Sequence, residues 1–128
     1  MKNIFLVFFV LCFYSCKVSQ KSSLNLTGIN WIKGSADCEK NTDPAIQVVQ
    51  YNYNTYILRQ NKCINYEAPF MFLFLGDKKA LLMDTGATED ETKFPLQKTV
   101  SKIIADREKA MHSQIELIVA HTHNHDDH

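Results

Sequence analysis

Eight consecutive residues, His121-Thr122-His123-Asn124-His125-Asp126-Asp127-His128, carry six side chains that are imidazoles or carboxylates. Neutral imidazole nitrogen and carboxylate oxygen both ligate a borderline divalent cation such as zinc, and a loop can turn alternate side chains towards one point. From His123 onward the order is H-x-H-x-D-H, made by His123, His125, Asp127 and His128, with His121 outside it. A histidine-rich tract is also compatible with a solvated tail or an adventitious metal binder of the purification-tag kind. Against that stands the apolar run Ile115-Glu116-Leu117-Ile118-Val119-Ala120, of strand length, which feeds directly into the motif.

The elements that must position this loop are legible as hydrophobic periodicity. Residues 46–51 and 55–58 are rich in β-branched and aromatic side chains, with residues 52–54 as the turn between them. Residues 70–75 and 80–83 are continuous apolar runs joined by Gly76-Asp77-Lys78-Lys79, which predicts an antiparallel pair buried on both faces. Leu96, Val100, Ile103, Ile104 and Met111 recur at helical spacing, predicting a packing helix over residues 94–111 with Thr92 as N-cap and Pro95 in its first turn. His112, just beyond it, is expected to act on the helix dipole rather than as a ligand.

With 128 residues, 45% of them hydrophobic and 22% charged, the chain has the composition of one globular domain. Fourteen basic and fourteen acidic residues balance, and there is no basic stripe to engage nucleic acid. Residues 1–16 read as an export signal: Lys2, an apolar run over residues 4–13, then Tyr14-Ser15-Cys16. Ten helical residues rise about 15 Å, half of the roughly 30 Å hydrocarbon layer, so the run is too short to span. It resembles a bacterial lipoprotein signal, in which Cys16 would be lipidated and anchor the protein to a membrane of the cell envelope. An ordinary secretory signal, giving a soluble periplasmic or secreted protein, is the alternative. Polar residues 17–25 then form a tether, and the domain occupies residues 26–128. Export to an oxidising compartment predicts a disulfide between Cys38 and Cys63, worth roughly 3 kcal/mol by loop entropy. Two buried thiols or two zinc ligands remain open.

The H-x-H-x-D-H run behind an apolar strand resembles the metal-binding loop of the metallo-β-lactamase superfamily. That resemblance assigns His123 and His125 to one zinc ion, and Asp127 and His128 to a second. It implies an α+β fold, the N-terminal half of an αββα sandwich. Residues 80–83 run into Asp84-Thr85-Gly86, and in this family an apolar strand ending in D-T-G precedes the histidine motif, its aspartate supporting the metal loop without binding metal. Asp84-Thr85-Gly86-Ala87 also looks like the motif of aspartic proteases, but no glycine-rich flap follows, and His123 arrives 39 positions after Asp84. The resemblance covers residues 45–128. Further ligands in the family come from a second half, so the chain is expected to be the front portion of a larger protein and inactive alone. The chemistry implied is hydrolysis by a zinc-activated water of pKa about 7, with Asp127 also orienting that nucleophile. Esters, lactones, β-lactams and phosphodiesters are all within reach. A non-catalytic, surface-anchored metal binder is the reading from a different class.

Overall fold

The computed structural model describes residues 23–124. The chain forms an α+β domain with strands β1 (Ile46–Asn52), β2 (Thr55–Gln60), β3 (Phe70–Leu75) and β4 (Lys79–Met83), then helix α1 (Leu96–Met111) and strand β5 (Glu116–Ala120). Short 3-10 turns at Leu26–Gly28 and Cys38–Lys40 precede them. The five strands lie side by side in sequence order. β1 to β4 form an antiparallel meander, and β5 returns parallel to β4 with Leu82 opposite Val119. A parallel neighbour cannot be reached by a tight turn, and the crossover is α1.

Side chains alternate across each strand, so the register divides the sheet into two faces. On one face Leu58, Met71, Leu73, Leu75, Ala80 and Leu82 join Phe94, Leu96, Val100 and Ile104 in one buried core. Removing each of the larger of these side chains from water contributes about 1.5–3 kcal/mol. The opposite face corrects the expectation that β3 and β4 are buried on both sides. Burial alternates in both strands, and Phe74 is 41% exposed where Leu73 is fully buried. The physical reason is that α1 packs on one side only. Phe72 and Phe74 stack on the other, ring centroids 6.4 Å apart, in register with Leu81 and Met83. Towards β1 this face is partly covered by Trp31, whose ring meets Phe70 edge-on at 5.0 Å, and the Arg59 guanidinium lies 4.2 Å from the same Phe70 ring.

Helix α1 begins two residues later than the periodicity predicts. Pro95 occupies the N-cap position without a side-chain cap. Thr92 is not the cap, because it lies three residues ahead of Pro95, in a turn where Asp90 Oδ1 accepts its N–H and hydroxyl at 3.0 and 2.5 Å. Glu91 supplies the missing acceptor instead, its Oε1 taking the Gln97 N–H at 2.8 Å. At the other end His112 adopts a left-handed conformation (φ 52°) and its N–H bonds the Glu108 carbonyl. Periodicity also does not anticipate Arg107, which is 8% exposed. Its guanidinium lies 3.8 Å from the Tyr53 ring centroid, donates to the Tyr53 carbonyl, and reaches Asn54 Oδ1 at 3.0 Å.

A disulfide joins Cys38 and Cys63, Cα atoms 5.3 Å apart, tying the second 3-10 turn to the loop after β2. Gly34 (φ +72°) lies against it, where a Cβ would come within 2.9 Å of the Lys62 Cβ. Leu24 is already tied down, its N–H bonded to the Tyr51 carbonyl at 2.7 Å. No helix among the described residues is long and apolar enough to cross a membrane. The export signal with Cys16 lies outside the described residues.

Candidate metal-loop site

In sheets with parallel strands, ligands are taken up outside the carboxyl ends of those strands. Here β4 and β5 end side by side, Met83 opposite Ala120. Ligand chemistry is therefore expected in the residues immediately beyond these two strand ends. Beyond β4 lies Asp84, and beyond β5 lies the histidine-rich loop.

Asp84 turns the chain with φ 65°, a left-handed conformation that aspartate tolerates better than most residues. Its N–H donates to the Ala120 carbonyl at 2.8 Å, extending the β4–β5 pairing by one step. The residue is 6% exposed. A buried carboxylate is costly unless its oxygens are satisfied, and Thr122 satisfies them. The Thr122 N–H donates to Asp84 Oδ1 at 2.8 Å, and the Thr122 hydroxyl lies 3.2 Å from Oδ1 and 3.1 Å from Oδ2. One carboxylate thus anchors the first turn of the metal-type loop to the end of the neighbouring strand.

Residues 85–88 are held with equal care. Gly86 has φ +79°, and a Cβ there would stand 2.5 and 2.8 Å from two carbons of the Phe94 ring. Gln60, fully buried at the end of β2, accepts the Ala87 N–H at 2.8 Å and donates to the Thr88 hydroxyl at 2.7 Å. Asn65 donates to the Ala87 carbonyl at 2.6 Å. Asn61, 2% exposed, bridges the loop after β2 to the Asn41 side chain at 2.8 Å and the Pro44 carbonyl at 3.0 Å. Sequence reasoning missed Gln60, Asn61, Asn65 and Thr122. The available signal was the polar Gln60-Asn61 pair closing an apolar strand.

Of the residues expected to form the site, Asp84 is buried and faces the loop, and His123 is exposed with its Nδ1 2.9 Å from the Thr122 hydroxyl. His121 is exposed in the same loop. His125, Asp127 and His128 lie outside the described residues. Among the described residues no group of three or more His, Cys, Asp or Glu side chains is placed to hold a metal. The donor set of the motif, imidazole with carboxylate, fits zinc, and Asp84 is placed to fix the loop's entry. Cys38 and Cys63 are bonded to each other.

Beside this end of the sheet, on the helix-covered face, a cleft of about 740 Å³ is floored by Leu82, Leu117 and Val119, walled by Leu96, and rimmed by Thr88 and Glu91. It shares residues 85–88 with the site as a wall, but none of its lining residues is a histidine. Close by, the Thr92 hydroxyl, and next its N–H, hold the Asp90 carboxyl below the ordinary carboxylate range.

No protein-family profile matches the chain, and no curated protein matches it.

Proposed function

We propose that the chain belongs to a metal-dependent hydrolase, with the loop after β5 as the metal-binding element. More particularly, it is a zinc hydrolase of the metallo-β-lactamase superfamily type, contributing the front of an αββα sandwich and two of the ligands of each of two metals. The observation that carries this reading is the Asp84–Thr122 clamp. A buried carboxylate at the end of β4 grips the residue immediately before H-x-H-x-D-H. An aspartic-protease role would instead need that carboxylate open to a cleft, and both of its oxygens face Thr122. The sandwich is supported by the sheet face turned away from α1, where the apolar side chains of Phe72, Phe74, Leu81 and Ile118 are only half-buried and could take an apolar cover.

In this reading His123 and His125 hold one ion, Asp127 and His128 the other. Zinc bound there would supply Lewis acidity and a nucleophilic water at neutral pH. Asp127 also orients the nucleophile, and Asp84 keeps the loop in register without touching the metal. Catalytic zinc usually takes three protein ligands and one open position, so two per ion is one short, and further ligands come from outside the motif. That shortage favours a second reading, a non-catalytic metal-binding protein held at the cell envelope through Cys16. Metal content and turnover of a β-lactam, a lactone and a phosphodiester separate the two. We expect weak zinc binding, lost in the His123→Ala/His125→Ala double variant, and no turnover by the chain alone. Zinc-dependent turnover abolished by Asp127→Ala would show instead that the chain, or a second copy of it, completes the site. For the anchor, labelled fatty acid should appear at Cys16 on bacterial expression; unlabelled, soluble protein would leave the secretory signal as the reading.

A further inference from the structure

The geometry points to Thr122 as a positioning residue that fixes the tautomer of His123 through a carboxylate–hydroxyl–imidazole relay. The inference rests on His123 being a metal ligand for its consequence, but not for its geometry. Among the described residues the Thr122 hydroxyl has three polar neighbours: Asp84 Oδ1 at 3.2 Å, Asp84 Oδ2 at 3.1 Å and His123 Nδ1 at 2.9 Å. A hydroxyl carries one proton and a carboxylate accepts only. If that proton pointed at His123, the hydroxyl oxygen would face two carboxylate oxygens with no hydrogen between them, inside a site where Asp84 is 6% exposed. The proton therefore goes to Asp84, where the bond is charge-assisted. The hydroxyl oxygen is then left as an acceptor, and the group that meets it at 2.9 Å is Nδ1–H. With the proton on Nδ1, the lone pair of the neutral ring is at Nε2, and Nε2 is the nitrogen that can bind a metal. The Thr122 N–H bond to Asp84 Oδ1 at 2.8 Å holds the backbone so that the hydroxyl stays between its two partners.

Such an outer hydrogen bond does two things for a ligating imidazole: it selects the nitrogen and it orients the ring. Valine has the shape of threonine without the hydroxyl, and serine keeps the hydroxyl without the methyl. The relay thus predicts opposite results for two substitutions at one exposed position.

The test is a long-range proton–nitrogen correlation spectrum of the full-length, metal-free chain with labelled histidine, together with a zinc titration against a chelator. In the wild-type chain His123 should carry its proton on Nδ1; an Nε2–H ring there overturns the relay with no variant needed. Thr122→Val should lose the Nδ1–H preference and bind zinc about 10–100-fold more weakly, whereas Thr122→Ser should match wild type in both. If Thr122→Val weakens zinc binding with the tautomer unchanged, Thr122 merely holds the loop and the relay is overturned. Should the wild-type ring be Nδ1–H in a chain that takes up no zinc, the relay stands and the metal-site reading fails. If zinc binds and Thr122→Val alters neither readout, the relay fails and the metal site stands.

Discussion

Among the described residues, each end of the sheet buries one charged side chain, and the two are used differently. At the hairpin end Arg107 reaches from α1 into the β1–β2 turn, meeting a carbonyl, an amide oxygen and an aromatic ring that all belong to a plain connection. At the opposite end Asp84 reaches into a loop rich in histidines and aspartates, and its contact Thr122 passes on to an exposed imidazole. Both ions are satisfied, so burial of a charge does not by itself mark a function. The difference lies in what the charge holds. Arg107 pins a turn, Asn52-Tyr53-Asn54, that carries no imidazole or carboxylate, whereas Asp84 pins the entry of a run of ligand-type side chains at the carboxyl ends of two parallel strands.

That contrast can be broken most forcefully at Gly86. Alanine there would combine φ +79° with a Cβ inside the Phe94 ring contact, and we expect a loss of about 3 kcal/mol in urea unfolding. A near-neutral result would mean that residues 85–88 are not the fixed wall described. Next comes Arg107→Met, which keeps a long side chain but removes the bonds to Tyr53 and Asn54. It should cost about 2 kcal/mol while leaving zinc affinity untouched. A fall in zinc affinity would erase the distinction between the ends. Asp84→Asn should reverse the pattern: an amide oxygen can still accept the Thr122 N–H, so stability falls by only about 1 kcal/mol, but zinc affinity falls about 10–100-fold. Equal effects of the Arg107 and Asp84 substitutions on both readouts would remove the reason to call one end a site.

The smallest effect is on pH dependence. Asp90 is held below the ordinary carboxylate range chiefly by the Thr92 hydroxyl. A group whose carboxyl is lowered on folding contributes stability above its unfolded value, and loses it as pH falls through the lowered folded value. Because Asp90 is solvent-exposed, the shift should be visible in its own titration by NMR and barely in global stability. Thr92→Val should move that titration upward. No movement would assign the shift to what the substitution leaves in place, the backbone N–H of residue 92 and Lys93, 3.4 Å away.

The strands, the helix and their order are readable because each repeats a simple period. The apolar run 70–75 coincides with β3 residue for residue. Departures occur where a local rule meets a competing partner. Thr92 has the chemistry of an N-cap, yet the N-cap position falls three residues beyond it, at Pro95, and Glu91 supplies the acceptor for the Gln97 N–H. The apolar runs of β3 and β4 suggest two buried faces, and only the placement of α1 determines that one is fully buried and the other half-exposed. For the site, the D-T-G signature marks Asp84 and spacing marks His123. Nothing local marks Thr122, because a threonine between two histidines has no distinguishing pattern until its hydroxyl is seen between a carboxylate and an imidazole.

Sequence alone therefore determined which side chains capable of binding a metal the loop carries and in what order, since spacing along a chain is covalent and donor chemistry belongs to the side chain itself. It also determined that an apolar strand leads into that loop. Tertiary structure alone decided that β5 lies parallel to β4, that Asp84 and Thr122, 38 positions apart, share hydrogen bonds, and that Gln60 and Asn65 brace residues 85–88. Those contacts arise because burying polar groups forces them to find partners wherever folding brings one within reach, and that choice is made by packing, which no local pattern encodes.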